Sequence, residues 1–130
     1  MMEDLKILVV DDSQGWVRHH CNNISYILNG EVTLCCAYSA KEGDAALSAN
    51  IDEPFDIIFT DMQMESDFLP LNAGEWLIKQ AQFYPEYKNT KIVIVSASPF
   101  IEKIAEKYGV DYIPKRSCQT IEEYTRVLTS

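Results

Sequence analysis

Asp11 and Asp12 stand side by side near the start of the chain, Asp61 stands far downstream of them, and Ser96 and Lys115 follow later still. Each sits at or just past the end of a short run of apolar, largely β-branched residues. Three carboxylates brought together repel one another, and their pKa values rise unless a cation intervenes. Oxygen ligands at that density suit Mg²⁺, which keeps several waters and commonly shares phosphate oxygens with one or two carboxylates. One carboxylate can then act as nucleophile toward a phosphoryl group. The Lys115 ammonium would offset charge on the equatorial oxygens, and the Ser96 hydroxyl would hydrogen-bond one of them. The set reads as a phosphoryl acceptor. A plainer reading makes Asp12 and Asp61 helix N-caps, Ser96 a small residue at a strand end and Lys115 a solvated cation. Against it stands complementary chemistry at four of five strand ends.

The elements that must position these groups are legible as punctuation. Apolar runs occur at Leu5–Val10, Val32–Ala37, Phe55–Thr60 and Ile92–Val95, with a weaker fifth at Val110–Ile113. They are nearly continuous rather than alternating, as strands buried on both faces are. Helical patterns fill the gaps. Val17, Cys21, Ile24 and Leu28 recur at helical spacing ahead of Gly30. Ser39 with Glu42 forms a capping box, and Asn72 is a candidate cap for a third helix in which Leu77, Ala81 and Tyr84 share a face. Ser98 and Pro99 suit the start of a fourth helix and Gly109 its end, with Ile101, Ile104, Ala105 and Tyr108 as its stripe. Thr120 and Glu123 suit the start of a fifth, with Ile121, Tyr124 and Leu128 facing inward. Strand and helix alternate five times, which predicts an α/β fold: one five-stranded parallel sheet with helices on both faces. In the strand order 2-1-3-4-5, ligands bind beyond the carboxyl ends, in the crevice between strands one and three.

Charge and cysteine usage narrow the function classes. The 130 residues carry a net charge of −9, and all of that excess lies between Glu42 and Glu75, which holds nine acids and no Lys, Arg or His. Such a chain repels phosphate backbones and anionic lipid, which argues against direct nucleic-acid or membrane binding. Cys21, Cys35, Cys36 and Cys118 show no ligand spacing for zinc. There is no signal-peptide pattern and no apolar run long enough to span a bilayer. A reducing, cytoplasmic setting is expected.

The segments Val9-Val10-Asp11-Asp12-Ser13, Phe59-Thr60-Asp61-Met62-Gln63-Met64, Val95-Ser96-Ala97 and Tyr112-Ile113-Pro114-Lys115 together resemble the receiver domain of two-component response regulators, the CheY-like or flavodoxin-like fold. The resemblance runs in order over essentially the whole chain. It implies a signalling domain rather than an enzyme; because the five strand–helix units fill residues 1–130, a single receiver domain with no output domain is expected. It makes Asp61 the phosphoacceptor, supplied by a sensor histidine kinase or a phosphotransfer protein. Asp12, Asp61 and the Gln63 backbone carbonyl would ligate Mg²⁺, with Asp11 acting through water. Ser96 and Lys115 would contact the phosphoryl group, and Tyr112 falls at the position of the family's aromatic switch. The readout would be a protein-binding face made by the fourth helix, fifth strand and fifth helix, serving a downstream protein or a homodimer.

Three positions depart from the family pattern. Arg116 rather than proline follows Lys115, while Pro114 precedes it in a strand that must then be an edge. Glu65 stands where a proline usually follows the methionine. The glycine usually found eight residues after the acceptor appears as Gly74, thirteen after it, so the loop 65–73 is about five residues longer than usual. That acidic, apolar-centred loop is read as a flap bordering the site, with a tolerated surface insertion as the plainer alternative. His19 and His20 are helical neighbours pointing about 100° apart, a poor basis for a shared metal, and one of them could touch a partner. Trp16 is expected near the pocket in a packing role. Two other functions compete with the switch. One is a receiver-like interaction module that is never phosphorylated. The other is an aspartate-nucleophile phosphatase, disfavoured because Asp11-Asp12 and Asp61-Met62-Gln63 leave its general-acid position empty. A P-loop switch is excluded by the absence of its motif.

Overall fold

The computed structural model describes residues 4–64 and 73–130. Five strands, β1 (Leu5–Val10), β2 (Val32–Ala37), β3 (Ile57–Asp61), β4 (Lys91–Ser96) and β5 (Asp111–Pro114), alternate with five helices. The helices are α1 (Gln14–Ile27), α2 (Ala40–Ala49), α3 (Ala73–Phe83), α4 (Ile101–Tyr108) and α5 (Glu122–Thr129). All strand pairs are parallel and their order is β2-β1-β3-β4-β5, as the sequence predicts. A parallel sheet needs cover on both faces, and alternate residues of each strand feed two separate cores. Leu8, Val10, Ile58 and Ile94 meet residues of α2, α3 and α4, including Leu47, Leu77 and Ala105. Ile7, Val9, Phe59 and Val93 meet Val17 and Ile24 of α1 and Tyr124 and Val127 of α5. Every residue of β3 is buried, whereas the edge strand β2 is half-exposed.

Several helix ends follow their sequence signals and two do not. Ser39 Oγ accepts from the Glu42 N–H, and the Glu42 carboxylate reaches back to the Tyr38 N–H. Gly30 takes the left-handed conformation at φ 75° and donates to Ser25 O, closing the end of α1. The start of α4 is a correction. Ser98 Oγ accepts from Phe100 N two residues on, a turn that competes with a helix cap, and α4 begins only at Ile101. The start of α5 is the second. A 3₁₀ turn over Lys115–Gln119 delays the helix, so its N-cap is Ile121 with no side-chain bond, and Thr120 closes the turn instead. Ile121 is consequently exposed rather than inward-facing, and the buried stripe is Tyr124, Val127 and Leu128. Asn72 and the flap segment lie outside the described residues, apart from Ala73, the first residue of α3.

Candidate functional site

The carboxyl ends of β1, β3, β4 and β5 bring the singled-out residues to one place. Asp11 follows β1, held in line by its N–H bond to Ala37 O at 3.1 Å, and its Oδ1 accepts from Ser13 N at 2.9 Å. Ser13, not Asp12, caps α1 by accepting from Trp16 N, so the plainer reading of Asp12 as the cap is not what the fold contains. Asp61 is the last residue of β3, opposite Val95 of β4; its Oδ1 accepts from Met62 N at 2.7 Å. Carboxylate oxygens of Asp11, Asp12 and Asp61 all lie within 4.8 Å of one another. Lys115 enters from the turn after β5 and sets Nζ 3.2 Å from Asp61 Oδ2 and 3.5 Å from Asp11 Oδ2. Ser96 is buried at the end of β4, its Oγ accepting from Ser98 N at 3.1 Å. Above these groups opens a cavity of about 740 Å³, lined by Asp12, Ser13, Asp61, Gln63, Ser96 and Lys115 and walled by Ala97 to Phe100.

Burial dominates the electrostatics. It pushes Asp11 up to about 6, helped by the neighbouring Asp61 charge and opposed by the Ser13 N–H and Lys115. Burial likewise raises Asp61, while Lys115 and the Met62 and Gln63 N–H groups pull it down. Lys115 is therefore a partial counter-charge for two carboxylates at once. Its 3.5 Å approach to Asp11 Oδ2 is an ion-pair distance, yet that oxygen is buried and makes no hydrogen bond among the described residues. An unmet anionic oxygen beside two further carboxylates is what a hard divalent cation would satisfy.

Two supports were only half visible in the sequence. Trp16, expected to pack, does so directly against the chemistry: the Lys115 ammonium sits 4.8 Å from the centre of its ring, a cation–π contact that restrains the lysine. Gly74 abuts the backbone of Asp61 itself. Its N–H donates to Met62 O at 3.1 Å, and a Cβ there would fall 2.2 Å from Asp61 O and 2.6 Å from Met62 Cα. Only glycine admits α3 this close to the end of β3.

Solved structures with the same fold are numerous. The chemotaxis response regulator CheY4 of Vibrio cholerae superposes with a TM-score of 0.70 at 20% identity, covering 95% of this chain and 98% of that one. A CheY-like receiver domain protein of Methanospirillum hungatei gives 0.67 at 22% identity, covering 95% and 90%. The phosphorylated cyanobacterial phytochrome response regulator RcpA gives 0.76 at 19% identity, covering 96% and 94%. The fold is that of a response-regulator receiver domain. No protein-family model matches the sequence, and no curated protein matches it.

Within this receiver fold, Tyr112 lies half-buried on β5 beside the α4 core. Arg126 of α5 grips the same strand: its guanidinium donates to both Asp111 carboxylate oxygens at 3.0 and 3.1 Å and to Tyr112 O at 2.9 Å. The histidine pair separates as its helical spacing requires. His19 donates to Cys118 O, while His20 is 2% exposed and its Nδ1 pairs with the Tyr124 hydroxyl at 2.6 Å. His20 is thus a core residue, unavailable to a partner. Among the described residues no helix is long and apolar enough to cross a membrane.

The buried His20 carries a pH prediction. Burial first, then the charges of His19 and Lys115, push it down to about 4 from an ordinary 6.5. Between those values the unfolded chain binds a proton that the folded one refuses. The stability carried by this group is therefore complete above pH 6.5 and is lost as pH falls toward 4, about 3 kcal/mol in all. Urea unfolding of the wild type and of His20→Gln from pH 7.5 to 4 should show the wild-type advantage shrinking through that window. Parallel curves would refute the assignment.

Proposed function

We propose that this chain is the receiver of a phosphorelay, taking a phosphoryl group onto Asp61 from a phosphohistidine of a sensor kinase or phosphotransfer protein. The observation that carries the reading is the bridging position of Lys115, which faces Asp61 and Asp11 together at the floor of an open cavity. The donor set fits Mg²⁺: three carboxylates, all of them hard oxygen ligands, one with an unmet buried oxygen. Asp12, Asp61 and the Gln63 carbonyl would hold the ion, with Asp11 behind them. When bound, the ion neutralises carboxylate charge and polarises the phosphoryl oxygens.

The residues then divide the work. An Asp61 carboxylate oxygen attacks phosphorus as the P–N bond to the donor imidazole breaks. The imidazole leaves with the electron pair, and an acyl phosphate remains on Asp61. Lys115 transfers its ammonium contact from the carboxylate to a phosphoryl oxygen. Ser96, whose Oγ already accepts from Ser98 N, still has its own O–H to donate to another. Motion of Ser96 toward the phosphoryl group and of Tyr112 inward would bias two states of the α4-β5-α5 face, by as much as the phosphoryl group's differential contacts allow. That face would bind a downstream protein or a second copy of the chain. The acidic surround favours partners that are basic or bring a cation. The domain is thus a signalling element that performs at most its own phosphorylation and dephosphorylation.

Incubation with Mg²⁺ and a small acyl phosphate, followed by intact mass, tests this. A single phosphoryl adduct of about 80 Da is expected, dependent on Mg²⁺ and absent in Asp61→Asn. No adduct from any small donor or phosphohistidine protein would overturn the proposal in favour of a phosphorylation-independent interaction module. Rapid multiple turnover of the donor would overturn it in favour of a phosphatase.

A further inference from the structure

On the far side of β1 from Asp61, the edge strand β2 and helix α1 bring two thiols into contact. Cys36 is exposed on β2, Cys21 is half-buried on α1, and their sulfurs lie 3.7 Å apart across fifteen residues of chain. The other two cysteines are placed elsewhere. Cys35 is the strand neighbour of Cys36 and so points to the opposite face, where it packs against the α2–α3 core. Cys118 is buried in the turn before α5. Only one pair is therefore prepared to react. We infer that Cys21 and Cys36 are a hydroperoxide-responsive dithiol, closing to an intramolecular disulfide that ties α1 to β2.

The chemistry balances with a hydroperoxide as the oxidant. The exposed Cys36 sulfur attacks the O–O bond, gives a sulfenic acid and releases water or an alcohol. The Cys21 sulfur then attacks the sulfenic sulfur, the S–O bond breaks, and the hydroxyl leaves as water with the Cys21 proton. Two thiols lose two electrons and the peroxide gains them. The order follows from the surroundings. Burial, and secondarily the neighbouring Cys36 charge and hydrogen bond, push the Cys21 thiol up to about 12, so Cys21 is the protonated, resolving partner. Moving from 3.7 Å to the ~2.05 Å of a disulfide asks for a side-chain rotation of the exposed residue on an edge strand.

The consequence falls on the framework of Asp11. Cys36 precedes Ala37, whose carbonyl holds the Asp11 N–H, and Cys21 lies on the helix whose Trp16 covers Lys115. The inference rests on the sulfur contact alone and holds whether or not Asp61 is phosphorylated.

The test treats the full chain with a low concentration of hydrogen peroxide. The free thiols of the folded protein should fall from four to two, with a mass loss of about 2 Da. The melting temperature should rise by about 5–10 °C, and dithiothreitol should reverse all three changes. Cys36→Ser and Cys21→Ala should each abolish the linkage, and Cys35→Ser should retain it. Cys36→Ser alters an exposed site, so it remains informative if Cys21→Ala folds poorly. Stepwise over-oxidation of Cys36 without loss of the second thiol would overturn the inference, as would linkage that survives in Cys36→Ser.

Discussion

Gly74→Ala is expected to lower the melting temperature by about 10 °C, corresponding to a loss of about 3 kcal/mol, and to suppress phosphorylation of Asp61. The alanine methyl would lie 2.2 Å from Asp61 O and 2.6 Å from Met62 Cα. Those neighbours are backbone, not flexible side-chain ends, so either α3 retreats or the end of β3 shifts. Retreat breaks the Gly74 N–H bond to Met62 O and uncovers Leu77 and Ile78; a shift displaces Asp61 from Lys115. Gly15→Ala is the internal control. Its new methyl meets only Ser13 Oγ at 3.7 Å, and removing glycine from a helix stabilises by roughly 0.5–1 kcal/mol. Thermal melts and intact-mass phosphorylation of both variants decide the matter. A Gly74→Ala protein that melts and phosphorylates like wild type would show that the contact is not constraining.

The second large effect is a pair of opposite changes in one variant. Lys115→Ala should slow phosphorylation of Asp61 by about 10²–10³-fold, as loss of a donor aimed at developing charge does. It should at the same time tighten Mg²⁺ binding by roughly tenfold. The second change arises because Lys115 now supplies, at 3.2 and 3.5 Å, part of the positive charge that the three carboxylates need. A cation must compete with it, and removing the ammonium removes the competitor. Trp16→Ala should resemble a mild form of the first change only, since the ammonium loses its aromatic platform but not its charge. Calorimetric Mg²⁺ titration alongside phosphorylation kinetics reads both quantities. Weaker metal binding in Lys115→Ala would mean that the lysine organises the carboxylates rather than neutralising them.

Much of the fold and of the site is legible in the sequence. The runs ending near Asp11, Asp61 and Ser96 are β-branched and continuous because a central parallel strand has no polar face; alternation with helices predicts the parallel sheet, and its order came from the flavodoxin-like fold type. The site then assembled itself from strand ends. The illegible parts share one cause: they depend on where a turn goes, not on what a segment prefers. Ser98 and Thr120 carry good capping chemistry, but Ser98 spends its hydroxyl on Phe100 N and the 3₁₀ turn after Lys115 postpones α5. That 3₁₀ turn carried Ile121 outward, and the Ser98 turn left the wall from Ala97 to Phe100 unforeseen. The Trp16–Lys115 contact joins residues at opposite ends of the chain; the sequence places Trp16 near the pocket but does not pair its ring with the ammonium. Helical spacing did separate His19 from His20, but only packing against α5 decides which of them is buried.

The complete burial of β3, with a core on each face and a paired strand on each edge, has a dynamic meaning. Segments open locally with free energies that range from almost nothing at frayed edges to the whole stability of the domain at its centre. Asp61 is carried by the strand at the high end of that range. Its carboxylate lines the open cavity, while the backbone beneath it is among the last parts of the molecule to breathe. Fluctuations of β2, β5 and the helix ends can reshape the rim without loosening the seat of the chemistry. An acyl phosphate formed there would be shielded by rigidity from below and exposed to regulation only from above.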